Sequence, residues 1–289
     1  MRTIIINSSD YVAGSVNQYT YNFPSTVKFG DGDQIGVAGI SIYNSTFNIT
    51  SLLGNNSFTF VWNAAAQTTF TFTIPNSYMS VSDLNFFLQQ QCILNNLYVT
   101  NASSQNVYFM EFVVNAPRYA VSLNIYPLPT SATATSLGYT QPSGATWSYP
   151  ASAKCPQITL NTAFGSLIGY TAGTYPTSAS TSTTQNLVSN ITPNLNVVDS
   201  YIMTCSLLNS PYSTPSDSFY TIPLSSGLGS LIAVNPSQIV FNSIAPNNYQ
   251  SITIRFFDQN FNTLQMNDHQ LTLTLAILEK RELDSTKKM

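Results

Sequence analysis

Apolar and polar residues alternate with a period of two through much of this sequence. The alternation is clearest at Phe58–Trp62, Thr69–Ile74 and Leu271–Ile277, and Ile252, Ile254 and Phe256 continue it. Such alternation is typical of β-strands with one buried and one polar face. Threonine on the polar face also suits strand propensity. The pattern predicts an all-β protein, and by itself leaves open an immunoglobulin-like sandwich, a jelly roll or a barrel.

Turn residues and shorter apolar runs locate further elements. One short helix is predicted at Ser82–Leu94, because Ser80 and Asp83 offer a cap before apolar residues at helical spacing. The stretch Asp258–Thr263 predicts a loop between adjacent strands, and hence a hairpin near the C-terminus. Additional strands are predicted at Thr3–Ile6, Tyr19–Phe23, Gln34–Tyr43, Val107–Val114, Val121–Tyr126, Tyr201–Leu207, Phe219–Ile222 and Gln238–Phe241.

The stretch 127–197 differs from the rest of the chain because it is rich in Ser, Thr, Gly, Pro and Ala. We interpret it as a long loop-rich insertion, since unstructured loops of this length are uncommon inside a compact domain. A chain of 289 residues fits one large β domain or two small ones. The interpretation adopted is one domain over 1–278, with the insertion at 127–197 and a charged tail at 279–289.

Charge is scarce and unevenly distributed. The chain has nine basic and twelve acidic residues, which together make up 7% of it. Seven of these charged residues lie in Glu279–Met289. An ordinary soluble domain carries about 25%. So few charges cannot coat a surface of this size, which indicates either a surface of Ser, Thr and Asn or extensive cover by other protein. The net charge of −3 gives no basic field that would predict specific nucleic-acid binding.

No residue pattern predicts catalysis, a cofactor or a metal site. The single histidine, His269, is interpreted as a turn residue before the last strand rather than as part of a catalytic triad. Asp31-Gly32-Asp33 is interpreted as a turn, because it lacks the further acidic residues of a calcium loop. Cys92, Cys155 and Cys205 have neither metal-binding nor disulfide spacing.

No apolar stretch approaches the ~18 residues that span a membrane, and the N-terminal apolar run is too short for a signal peptide. We therefore expect synthesis in the cytoplasm. Aromatic residues are the remaining candidates for binding. Trp147, close to Tyr149 in the loop-rich stretch, is the better candidate for an exposed contact, and these two residues are the predicted interaction site.

Four stretches, in the same order along the chain, resemble segments of the penton proteins of virophages and Polinton-like viruses. They are Gly36–Ile49, Thr73–Asn85, Phe164–Tyr170, and Ile252–Gln259 together with Leu271–Leu273. Thr46 stands where the family pattern has Trp, and Asn76-Ser77 stands where it has a pair such as Asp-Gly.

The resemblance implies a single jelly-roll sandwich that forms a homopentamer at the fivefold vertices of an icosahedral capsid. It implies contact with a double-jelly-roll major capsid protein and with other minor capsid proteins, and location in the virion after synthesis in host cytoplasm. It implies no catalysis and no cofactor. The alternatives that the residues leave open are a carbohydrate-binding β-sandwich, such as a fibre or lectin-like attachment module, and a hydrolase that uses an acidic pair.

Overall fold

The computed structural model describes residues 1–280, and this part of the chain is mostly β-sheet. Its strands are β1 (Arg2–Asn7), β2 (Gln18–Phe29), β3 (Gln34–Tyr43), β4 (Ser57–Asn63), β5 (Gln67–Thr73), β6 (Val99–Thr100), β7 (Asn106–Val107), β8 (Met110–Asn115), β9 (Ala120–Ile125), β10 (Gln157–Leu160), β11 (Gly173–Tyr175), β12 (Gln185–Val188), β13 (Ser200–Cys205), β14 (Ser218–Pro223), β15 (Leu231–Val234), β16 (Phe241–Ser243), β17 (Asn247–Phe257) and β18 (Leu271–Leu278). Its helices are α1 (Val81–Leu94), α2 (Ser131–Ser136) and α3 (Thr162–Ile168). The prediction of an all-β fold is confirmed.

The chain divides into two compact units, each with its own core. One unit combines residues 1–46 with the described residues from 198 onward, and the other is Phe47–Val197. Each unit encloses one cluster of buried apolar side chains. We call them the jelly-roll unit and the inserted unit, because the second lies between β3 and β13 in the sequence.

The jelly-roll unit is recognised by its strand pairing. Its two antiparallel sheets have the orders β1-β18-β3-β15, where β16 also pairs with β3, and β14-β13-β17-β2. Eight of the strands pair in a nested way, the first with the last and so on inward: β1 with β18, β2 with β17, β3 with β15, and β13 with β14. A folded ribbon of four antiparallel pairs is the double-sheet jelly roll.

Alternation along β2 and β17 shows how the sequence builds this core. Tyr19 pairs with Ile254, and both side chains are fully buried. The neighbouring pair, Thr20 and Thr253, lies on the opposite face, where the two hydroxyls are 3.2 Å apart. Since successive side chains of a strand point to opposite faces, this register places Tyr19, Ile252 and Ile254 inward and the two threonines on the other face.

The inserted unit has its own sheets, with the orders β11-β10-β4-β5, β12-β9-β8 and β6-β7. In the β4–β5 hairpin Phe58 pairs with Phe72, and their ring centroids are 5.7 Å apart in an edge-to-face contact. Helix α1 begins with a capping box of Ser80 and Asp83, as the sequence predicted. It packs against β8, where the Asn85 side chain accepts a hydrogen bond from the backbone N–H of Phe112 at 3.0 Å.

The predicted insertion, 127–197, is shorter than the inserted unit of the structure, and it contains more helices and strands than its composition indicated. The compact inserted unit begins at Phe47, and the stretch after residue 127 contains α2, β10, α3, β11 and β12. Alternation in β4 and β5 shows that these strands have a buried face, but it does not show which of two cores that face meets. Short helices and strands of three or four residues give too little periodicity to be detected.

Two other predictions were wrong in detail. The described residues contain three α-helices rather than one, because α2 and α3 are shorter than two turns and rich in Thr, Ser and Gly. Strands β17 and β18 do not form the expected C-terminal hairpin, since β17 pairs with β2 and β13, whereas β18 pairs with β1 and β3. An isolated antiparallel bridge between Phe257 and Thr263 closes the predicted loop. Turn residues mark where a strand ends but do not specify whether the next strand stays in the same sheet.

The predicted tail at 279–289 is described only at its first two residues. Arg2 Nε and Glu279 Oε1 form an ion pair at 3.1 Å, and the backbone N–H of Lys280 donates to Asp33 Oδ1 at 3.1 Å. Residues 281–289 lie outside the described residues.

The two ends of the jelly-roll unit that flank the insertion meet at Tyr201. The Tyr201 hydroxyl lies 3.3 Å from both Thr46 Oγ1 and Asn44 Oδ1. Thr46 lies beside the Tyr201 side chain, and Val198 is three residues before Tyr201 in the chain. We therefore estimate that a linker of about six residues, at roughly 3.5 Å per residue, can connect Thr46 to Val198.

We therefore expect that replacing Phe47–Val197 by such a Gly/Ser linker leaves a folded jelly roll. The measurement is cooperative thermal unfolding with a β-rich circular dichroism spectrum. The matched control removes Phe47–Val197 and β18 together, and should not fold because β3 loses its central neighbour. A shortened chain that is unfolded under conditions where the full chain is folded would contradict the division into two units.

Candidate functional site

Trp147 belongs to a buried aromatic cluster in the inserted unit. Its ring centroid lies 5.1 Å from that of Trp62 and 5.4 Å from that of Tyr149, both in edge-to-face contacts. Trp62 in turn contacts Phe109 at 5.8 Å. The indole N–H of Trp147 donates to the carbonyl oxygen of Asn96 at 2.6 Å. These contacts hold the segment around residue 147 onto the core.

The predicted exposure of Trp147 was wrong, because the residue is only 8% exposed. Its low-complexity surroundings indicated a loop, but a loop can still place a large aromatic ring in the core. Tyr149 is half-buried, its hydroxyl has no hydrogen-bond partner within residues 1–280, and burial raises its pKa. An interaction role for the pair stays a prediction, and it would have to act through the exposed edge of Tyr149.

A concave pocket in the same unit is the better candidate site. It has a volume of about 390 Å³, within the range of small-ligand pockets. We call it the tyrosine pocket. It is lined by three tyrosines, a threonine and six residues without polar side chains: Tyr108, Tyr126, Tyr139, Thr133, Val107, Phe109, Pro127, Pro129, Leu137 and Ala153.

Three pieces of local structure assemble this pocket. The ladder of β8 and β9 continues through a hydrogen bond from the Tyr126 N–H to the Phe109 carbonyl, at 2.9 Å. Leu128 and Lys154 form an isolated antiparallel bridge, and their neighbours Pro127, Pro129 and Ala153 line the pocket. Helix α2 and the turn after it supply Thr133, Leu137 and Tyr139.

Glu111 lies at the hydroxyl end of Tyr126. Its Oε1 accepts hydrogen bonds from the Tyr126 hydroxyl at 2.7 Å and from Asn124 Nδ2 at 3.0 Å. The bond to Glu111 is the main cause that raises the pKa of Tyr126, because the carboxylate stabilises the protonated phenol. Within residues 1–280 Glu111 Oε2 has no hydrogen-bond partner, so the carboxylate keeps accepting capacity.

Nine other side-chain carboxylates lie within residues 1–280, and several of them stabilise turns or helix starts. Five of them accept backbone N–H groups within four residues of their own position, as caps and turn acceptors do. They are Asp10, Asp33, Asp83, Asp258 and Asp268. Local polar roles of this kind account for these acids, and Glu111 differs because both its partners are side chains.

The residues considered for catalysis or metal binding take part in ring packing and in a turn. His269 precedes β18, as predicted, and its ring stacks on Tyr11 with a centroid distance of 3.8 Å. Asp31 and Gly32 form the predicted turn between β2 and β3. Within residues 1–280 no group of three or more His, Cys, Asp or Glu is placed to hold a metal ion. No helix in that part of the chain is long and apolar enough to cross a membrane.

Sequence reasoning missed the tyrosine pocket. Tyr108 and Tyr126 were included in predicted strands, but Tyr139, Pro127 and Pro129 were assigned to the loop-rich stretch. A detectable signal was present, since Tyr126-Pro127-Leu128-Pro129 is an aromatic and proline cluster directly after a strand. The partner segments are far away in sequence, so the concave shape depends on tertiary structure.

A comparison with solved structures finds proteins of similar fold. The chain is similar to the crystal structure of a selenomethionine-labelled mavirus penton protein, with a TM-score of 0.42 and 10% sequence identity, over 96% of this chain and 97% of that chain. No protein-family model matches the chain, and no curated protein matches it. At this TM-score and identity, the likeness establishes neither a shared family nor a shared activity.

Removing the Trp147 ring should destabilise the inserted unit rather than abolish a surface contact. We expect Trp147→Ala to lower the free energy of unfolding by about 3–5 kcal/mol, the usual cost of emptying a buried aromatic site. Trp147→Phe should cost less, since it keeps a ring but loses the bond to Asn96. Urea unfolding followed by the fluorescence of Trp62, the other of the two tryptophans, measures both. Unchanged stability in both variants would show that Trp147 is not part of the core.

The three buried cysteines should be inert in the folded protein. Burial raises the pKa of the Cys92 and Cys205 thiols to about 12 and of the Cys155 thiol to about 11. Because the thiolate is the reactive form, we expect no reaction with Ellman's reagent near neutral pH and three reactive thiols after unfolding. A Tyr212→Cys variant is the control, since residue 212 is 97% exposed and its thiol should react at once. Rapid labelling of the parent chain would contradict this assignment.

Proposed function

We propose that this chain is a structural subunit of a viral capsid, forming a homopentamer at the fivefold vertices of an icosahedral shell. In this proposal its neighbours are copies of itself, a double-jelly-roll major capsid protein and other minor capsid proteins, and its place is in the virion. The observation that carries the proposal is the scarcity of charge on the folded units, in a chain with a jelly-roll unit.

The inserted unit shows this scarcity most clearly. Phe47–Val197 contains four charged residues, Asp83, Glu111, Arg118 and Lys154. A soluble domain of that length ordinarily carries several times as many. Charges are depleted at the centre of protein interfaces, because an ion stripped of water and left unpaired is costly there. A surface nearly without ions is therefore suited to burial by neighbouring subunits.

Helix α1 supports the same conclusion. The solvent-facing side of a surface helix is normally charged. In α1 the exposed side instead carries Phe86, 62% exposed, and Leu94, 73% exposed, and Asp83 is the only charged residue of the helix. A partly apolar helix face with a single charge, Asp83, fits a protein contact better than a free surface.

The alternatives have less support. The lectin-like alternative used Trp147 and loop tyrosines as the contacts to sugar, and Trp147 is buried. The hydrolase alternative needs a pair of carboxylates across a cleft, whereas five aspartates serve as local turn and cap acceptors. The proposed role therefore includes no catalysis.

The proposal predicts that the purified chain assembles into a ring of five. Sedimentation at five times the chain mass of 31.6 kDa, alone or with the major capsid protein, is the expected result. Because few ions contribute, the ring should persist from about 0.1 M to about 1 M NaCl, over which the Debye length falls from about 10 Å to about 3 Å.

A matched pair of variants tests the α1 face within that assay. Phe86→Lys places a cation on the partly apolar face of α1, whereas Tyr212→Lys places one in an exposed turn of the other unit. If α1 faces a neighbouring copy, the first should reduce assembly and the second should not. A chain that stays monomeric at all concentrations, with and without the major capsid protein, would exclude the pentamer.

A further inference from the structure

We infer that the tyrosine pocket binds an extended, proline-containing peptide segment with a basic residue next to the proline. This inference goes beyond the capsid role, because a shell subunit does not require a peptide site. It rests on the pocket's shape, on the kind of hydrogen-bonding groups that it offers, and on the position of Glu111.

The lining favours flat apolar rings. Six of the ten lining residues have no polar side chain, and two of these are prolines flanking Leu128. Three tyrosines add aromatic faces, and Tyr108 also contacts Tyr98 at a ring-centroid distance of 6.2 Å. Proline-rich segments in the polyproline II conformation dock into aromatic-lined grooves, and the lining of this pocket is of that kind.

Two tyrosine hydroxyls of the pocket are able to donate hydrogen bonds to a ligand. Tyr139 has no hydrogen-bond partner for its hydroxyl in the described part of the chain, and the hydroxyl is free to donate. The Tyr108 hydroxyl accepts from Asn106 Nδ2 at 3.3 Å, which leaves its own hydrogen available. Both hydroxyls can therefore donate to a ligand that presents acceptors. The amide before a proline does so, because it has a carbonyl and no N–H that would need a partner.

A saccharide fits this lining less well. Sugar hydroxyls are both donors and acceptors on every edge of the ring. Against Val107, Pro127, Pro129 and Leu137 those hydroxyls would lose water without replacement, and each buried unpaired group costs about 1–3 kcal/mol. A proline ring has no such groups to desolvate.

Glu111 adds a preference for a cation. It is one of four charged residues in the inserted unit and lies at the hydroxyl end of Tyr126. Its Oε2 has no partner within residues 1–280, and a guanidinium group matches a carboxylate through charge-assisted hydrogen bonds. A basic residue beside the bound proline would extend along the Tyr126 ring toward it.

Fluorescence polarisation with the full chain tests this inference. The probes are a short fluorescein-labelled polyproline peptide with one central arginine, and the same peptide with norleucine in place of arginine. We expect saturable binding of both, with the arginine peptide about tenfold tighter, as for a charge-assisted hydrogen bond.

Two conservative variants connect the binding to named atoms. Tyr139→Phe removes one hydroxyl and should weaken both peptides about three- to tenfold. Glu111→Gln keeps an acceptor for Tyr126 and should abolish the difference between the two peptides while leaving the norleucine peptide unchanged. Tyr212→Phe, in the other unit, is the matched control and should change neither affinity. Unaltered thermal unfolding confirms that each variant is folded.

Several results would overturn the inference. The first is no saturable binding of either peptide at millimolar concentration. The second is binding that Tyr139→Phe and Tyr212→Phe affect equally. The third is displacement of a labelled oligosaccharide from the parent chain with no peptide binding, which would assign the pocket to carbohydrate instead.

Discussion

The nested pairing of strands across the insertion is the constraint on which the jelly-roll unit depends. β3 is the last strand before residue 47, and its hydrogen-bond partners β15, β16 and β18 all follow residue 197. Neither half of this unit can satisfy its backbone groups or bury its apolar face alone. The core formed by Tyr19, Ile254 and their neighbours exists only when both halves meet. The inserted unit has no such dependence, since its strands pair among themselves.

Strand existence could be predicted from the sequence, whereas strand partnership could not. The bounds Gln34–Tyr43 agree with β3 to the residue, because its apolar run is long and ends at turn residues on both sides. The alternation of β17 and β18 is equally clear, yet the two strands lie in different sheets. Period two shows that a strand has an inside face and contains no information about which strand lies beside it.

The candidate site was less predictable than the fold. Trp147 attracted attention because tryptophan is rare and its surroundings are polar, but its ring completes a core with Trp62. The tyrosine pocket joins β8, β9, α2 and the segment around Ala153, which only tertiary contacts bring together. Charge counting describes the whole surface, whereas motif searching describes only a local pattern.

The position of the insertion has a consequence for synthesis of the protein. Phe47–Val197 is complete before any of β13 to β18 has been made, so the inserted unit can fold while β1, β2 and β3 still wait for their partners. At about 5–20 residues per second, translation of the remaining strands takes roughly 4–16 s. During that interval the nascent chain contains the whole inserted unit but only strands β1, β2 and β3 of the jelly-roll unit. The unpaired edges of these strands are available to pair with other nascent chains.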